Sequence, residues 1–241
     1  MSEPIGSVGW PNGARAAISL TYDGGLPEHL FLVEPLLRTL GLRATFYLSA
    51  TFFLENPRAW AALAAHGHEI GNQSLFGVTG PRGELPNWTL EMVHEDLLHL
   101  EELLDGHVAG PTERSFAYPG DNPITAEGSY EPVVERLFLW ARTCHEGLNH
   151  AVFCNPLSLR TVRAAGLSGA GLAQRAEEAL DLGAWAIFVF ESLGSRGRAC
   201  EERDHESLLR YVAAKHNDLF VAPVREIAEY VVAARERMTV G

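Results

Sequence analysis

Short apolar runs alternate along this chain with longer stretches whose apolar positions recur every three or four residues. The short runs predict strands at 15–22, 43–49, 69–72, 115–118, 138–143, 185–190 and 219–222. The periodic stretches predict helices at 28–40, 57–66, 90–104, 170–182, 205–216 and 224–237. In the helix over 90–104, Met92, Leu97, Leu100, Leu103 and Leu104 gather on one side between acids. Thr89 is placed to cap its start and Gly106 to stop it. Strands alternating with helices argue for a parallel sheet or barrel. The Gly- and Pro-rich stretch 76–88 and the segment 119–129 read as loops over one face. Neither a repeat nor a low-complexity linker interrupts the pattern, so 1–241 is expected to form a single α/β domain.

Composition narrows the classes of function. With 46% hydrophobic and 21% charged residues, the chain can bury a sizeable core. A formal net charge of -12 and the lack of any long basic run argue against nucleic acid or an anionic membrane as partner. No run approaches the roughly 20 apolar residues of a membrane span. Residues 1–13 lack the basic start and apolar core of a secretory signal. Cys144, Cys154 and Cys200 are odd in number and have no Cys-x-x-Cys spacing, so free thiols are expected. These features predict an acidic cytoplasmic protein with a small-molecule partner; they carry no sign of its oligomeric state.

Candidate chemistry concentrates at the ends of the predicted strands. Ser19-Leu20-Thr21-Tyr22-Asp23-Gly24-Gly25 closes an apolar run with a carboxylate and a glycine turn, the position where barrel enzymes place catalytic groups. Further along come Gly67-His68-Glu69-Ile70-Gly71-Asn72-Gln73-Ser74-Leu75-Phe76-Gly77, then Arg114-Ser115-Phe116-Ala117-Tyr118-Pro119-Gly120, then Trp185-Ala186-Ile187-Phe188-Val189-Phe190-Glu191. In this order the four segments resemble the motifs of the polysaccharide deacetylase family (the NodB-homology domain): Thr-Phe-Asp-Asp-Gly, "GHEIGNHSxxH", "RTFAYP" and Leu-x-His. The resemblance runs from Arg15 to about Tyr230 and includes Val221-Ala222-Pro223-Val224-Arg225-Glu226-Ile227. It implies a distorted, incomplete (β/α) barrel of about seven strands.

The resemblance also assigns roles. Asp23 matches the general base, Arg114 the arginine that pairs with it, and the Tyr118 backbone part of an oxyanion pocket. The three metal ligands are replaced by Gly24, Gln73 and Gly77. Glycine has no donor atom, and a glutamine carbonyl is a poor ligand for a zinc-like ion, so neither a metal nor another cofactor is expected. Glu191 stands where the family has the histidine that protonates the leaving amine, a task open to a carboxylic acid. Asp23, Arg114 and Glu191 are therefore the candidate catalytic residues, with Gln73, Tyr118, Asn72 and Asp121 as candidate substrate contacts. Bland readings stand beside these: Arg114 can anchor a strand, Tyr118 can pack under a loop, and Glu191 can face solvent.

Three functions follow. The first is metal-free acid/base chemistry on a small metabolite, either C–N hydrolysis or isomerisation and cyclisation. Losing a Lewis acid removes several kcal/mol of transition-state help, which favours labile ureides or cyclic imides over plain acetamides. The resemblance permits this reading, since the family includes a metal-independent branch acting on small ureide-type substrates. The second is a pseudoenzyme that binds a carbohydrate or metabolite without turnover. The third is a relocated metal site built from Asp23, Glu191, Asp121 and His145 or His150.

Overall fold

The computed structural model describes residues 9–77, 87–121, 123–194 and 199–239. The chain opens with β1 (Ala16–Gly24), then a π-helical turn, His29–Val33, that runs into α1 (Glu34–Leu40). Next come β2 (Thr45–Leu48), α2 (Ala50–Glu55), α3 (Pro57–Ala65) and β3 (Glu69–Asn72). α4 (Leu90–Asp105) begins where the Thr89 side chain accepts the Met92 N–H, as its sequence predicts. β4 is only Phe116–Ala117, followed by a small hairpin of β5 (Ile124–Thr125) and β6 (Gly128–Ser129), then α5 (Glu131–Leu137). β7 (Ala141–Glu146), β8 (Leu159–Arg163), α6 (Gly169–Leu182) and β9 (Trp185–Phe190) complete the barrel wall. β10 (Ser192–Leu193) pairs with β11 (Ala199–Cys200), and α7 (Glu202–Ala214), β12 (Leu219–Val221) and α8 (Val224–Thr239) end the chain.

The wall strands run parallel in the order β1-β2-β3-β4-β7-β8-β9, and β9 pairs back onto β1 to close a seven-stranded barrel. β12 is an eighth strand in the gap beneath: it pairs with the first half of β1, Ala16 to Ile18, while β2 pairs with the second half, Thr21 to Gly24. The expected strand number thus holds, with a changed membership. The predicted strand at 219–222 is this extra β12, and β8 was not foreseen. The predicted strand at 138–143 shifts to 141–146, because Val134 and its neighbours carry α5 up to Leu137. Residues 78–86 of the predicted loop at 76–88 lie outside the described residues.

Strand alternation sends one set of side chains outward and one inward. Outward, Ile18, Leu20, Tyr22, Phe46, Phe188 and Phe190 pack with Leu37, Leu172, Leu208 and Leu209 of the helices into the main core. Inward, the barrel is unusually polar. Glu69 Oε1 accepts from the Ser115 N–H (3.0 Å) and Ser115 Oγ (2.7 Å). Its Oε2 accepts from Thr45 Oγ1 (2.8 Å) and from the Arg225 N–H (3.0 Å), so Glu69 also caps α8 from within the barrel. Tyr47 Oη shares a 2.8 Å hydrogen bond with Ser115 Oγ, and Arg142 lies 4.6 Å above the Tyr47 ring. These buried polar groups form a column from the α8 end to the opposite mouth, bonded to one another except at Arg142 Nε and Nη1, which have no hydrogen-bond partner among the described residues.

Candidate active site

Asp23 sits at the C-terminal end of β1, where the glycines that follow take φ of 86° and 73° and turn the chain away. Its inward register places the carboxylate at the top of the polar column, with 11% of the side chain exposed. The expected partner was Arg114; the structure corrects this. Arg114 turns to α4, where its Nη1 donates to Glu101 (3.0 Å) and Asp105 (2.6 Å). The arginine that pairs with Asp23 is Arg142 of β7, entirely buried. Burial opposes the charge on Arg142, but Asp23, Cys144 and Tyr47 outweigh it and hold the guanidinium pKa above its ordinary value. The signal that could have found it was a lone arginine in a predicted strand, at the register that faces inward.

A cavity of about 550 Å³ opens above this pair, lined by Asp23, Gly24, Gln73, Tyr118, Glu191 and Arg163, with Cys144 and Leu26 also in its wall. The pairing Tyr22↔Phe190 makes Asp23 and Glu191 the next residues on adjacent strands. Gln73 Oε1 accepts the Gly24 N–H at 2.7 Å, which orients the amide and leaves its N–H groups to offer a ligand. Tyr118 lines the cavity, but its backbone N–H already donates to the Arg142 carbonyl (3.1 Å), which corrects the expectation of an oxyanion donor there. Burial, with Glu131 and Glu135 nearby, raises the Tyr118 phenol pKa, so it stays protonated.

Asn72 is also corrected. Its Nδ2 donates to the Leu97 carbonyl (3.1 Å) and Glu101 (2.9 Å), and its Oδ1 accepts the Ser74 N–H (2.7 Å). It therefore ties β3 to α4 and shapes the turn at Ser74 (φ 71°), away from the cavity. Asp121 ends a helical turn, Pro119–Asp121, and its side chain lies outside what the structure describes. Cys144 and Arg163 were not foreseen, Arg163 because its strand was not.

The family's metal does not fit these residues. Gly24 and Gly77, at two ligand positions, have φ of 86° and 61°, left-handed backbone in which a side chain is strained. The third, Gln73, has its oxygen engaged by Gly24. Among the described residues no three His, Cys, Asp or Glu side chains gather to hold a metal ion. His145 and His150 instead line a separate hollow of about 390 Å³ with Asn149, Phe153 and Arg160.

The polysaccharide deacetylase family model matches residues 11–125. Among solved structures, a candidate polysaccharide deacetylase from Mycobacterium smegmatis superposes with a TM-score of 0.66 at 18% identity, covering 97% of this chain and 96% of that one. A CE4 family pseudoenzyme from Bacillus anthracis gives 0.60 at 14% identity, covering 88% and 65%. A pseudoenzyme mutant with restored enzymatic activity gives 0.60 at 14%, covering 88% and 67%. The chain thus spans about two thirds of the length of these last two neighbours. No match is found among curated proteins. Over residues 11–125 the chain resembles the polysaccharide deacetylase family in sequence, and over nearly its whole length it shares the fold of these solved structures.

Proposed function

We propose that this protein carries out metal-independent acid/base chemistry on a small intracellular metabolite, hydrolysing a non-peptide C–N bond. The observation that carries the reading is the Asp23–Arg142 pair at the floor of a cavity that Glu191 enters from the neighbouring strand. In this scheme a water oxygen adds to the carbonyl carbon while its proton passes to Asp23. The C–N bond then breaks, and Glu191 delivers a proton to the departing nitrogen. Gln73 N–H groups take the place of a Lewis acid at the carbonyl oxygen, and one such donor contributes roughly 2.7 to 4 kcal/mol. Arg142 is a positioning residue: it fixes the carboxylate rotamer of Asp23 and touches no substrate. Isomerisation or cyclisation would use the same carboxylate pair.

The test is release of ammonia or amine from a panel of small amides, ureides and cyclic imides. Asp23→Asn is expected to lower turnover at least about a hundredfold while leaving the urea unfolding midpoint nearly unchanged. Turnover that survives this substitution removes Asp23 as base. A second reading, binding without turnover, is favoured by the loss of all three ligand positions and by the likeness in fold to a pseudoenzyme. It predicts ligand binding by the wild-type protein with no product from any member of the panel.

A further inference from the structure

The turn that follows β3 carries Gln73 into the cavity, and a carboxylate of α4 holds that turn from behind. Asp96 is 4% exposed and does not line the cavity. Its Oδ2 accepts from Ser74 Oγ (2.6 Å) and the Leu75 N–H (2.9 Å), and its Oδ1 from the Phe76 N–H (3.1 Å). Three consecutive residues thus converge on one side chain of another element. Ser74 needs that support, because its φ of 71° lies in the left-handed region, which a serine keeps only when its surroundings enforce it. On the other flank the Gln73 N–H donates to the Leu48 carbonyl (3.0 Å), and the Leu75 carbonyl accepts the Ala50 N–H (3.1 Å). Between these anchors the Gln73 side chain reaches β1, where its Oε1 accepts the Gly24 N–H (2.7 Å).

We propose that Asp96 is a positioning residue: by clasping residues 74–76 it sets the Gln73 amide against Gly24 and aims its N–H groups into the cavity. The use of those N–H groups at a carbonyl oxygen rests on the reaction proposed above; the clasp itself does not. With the carboxylate removed, three donors lose their acceptor, Ser74 relaxes toward right-handed backbone, and the Gln73 side chain loses its bearing on Gly24.

The experiment is hydrogen exchange of the Gly24 amide in the full chain, read by ¹⁵N–¹H spectra against the amides of β9, which report opening of the barrel as a whole. In Asp96→Ala, Gly24 exchange is expected to accelerate about fivefold or more relative to β9, the size of one hydrogen bond. Gln73→Ala should accelerate it to a similar extent, and the double variant should go no further. Asp96→Asn keeps one oxygen for Ser74 and Leu75 and should fall between wild type and Asp96→Ala; it carries the same comparison if the alanine variant does not fold. Gly24 exchange that changes only in step with β9, or single effects that add in full in the double variant, overturns the inference. The functional reading fails separately. On a substrate from the panel above, Asp96→Asn should lower kcat with KM nearly unchanged, the mark of a bond made in the transition state. A Gly24 amide that loses protection while kcat is untouched keeps the clasp and removes Gln73 as the carbonyl donor.

Discussion

Three imidazoles lie deep in the protein, and each is held neutral. Burial, reinforced by His205, lowers the pKa of His29 to about 3; burial lowers His205 to about 4; burial, with His66 and Arg43, lowers His68 to about 4. The unfolded chain takes up these protons near pH 6.5. Below that pH the unfolded state binds more protons, so stability is complete above about 6.5 and falls as pH drops toward the folded values. Each ring contributes a slope of about 1.4 kcal/mol per pH unit in that window. His68 and His205 have partners, in the Ala44 N–H and Tyr22 Oη, whereas neither nitrogen of His29 has one among the described residues. His29→Leu is therefore expected to raise stability at pH 7 by about 1–3 kcal/mol, the usual penalty of a buried unpaired polar group. It should also flatten the acid slope by one proton. Urea unfolding at pH 7, 6 and 5 reads both effects, and an unchanged slope would contradict the buried neutral ring.

At the scale of elements, the barrel depends on close approach between β2, β3 and β4. A Cβ on Gly71 of β3 would meet the Tyr47 ring at 2.6 Å and the Ser115 carbonyl at 3.0 Å. Gly71→Ala is accordingly expected to lose about 1–3 kcal/mol by overpacking, and Tyr47→Leu in the same chain should recover part of it. The Tyr47–Arg142 stacking lies directly above, so the loss should also reach the cavity. What the sequence revealed of the elements followed apolarity. β9 is a continuous apolar run, and β1 opens on Ala16-Ala17-Ile18 and keeps Leu20 and Tyr22 on one face, so both could be read directly. β8, Leu-Arg-Thr-Val-Arg, has exposed arginines at its second and last positions around buried Thr161 and Val162, so it shows neither an apolar run nor a clean alternation and reads as a loop. α5 is two turns long and starts at Glu131-Pro132, too short to show a period.

For the whole molecule, the fold was legible because four motifs fall in order on strand ends, and Asp23, Glu191 and Gln73 converge on one cavity as their positions implied. The pairing of Asp23 was not legible. Ala117 and Arg142 are register partners on β4 and β7, and no spacing along the chain shows which neighbouring strand supplies the cation. β1 also depends on the far end of the chain: Ser19 Oγ donates to the Ala222 carbonyl at a separation of 203 positions, and β12 fills the gap below β2. A chain stopped after Asp218 is expected to lose its cooperative unfolding transition, measured by circular dichroism in urea, because the lower edge of β1 has no partner and α8 no anchor. A native-like transition would show that the seven wall strands suffice.

During synthesis the same pairing imposes an order. β1 leaves the ribosome before β12 and cannot complete its hydrogen bonds until that strand has been translated. An interrupted chain would leave an apolar strand open to chaperones and proteases, so truncated products would be marked for removal by the edge they fail to cover.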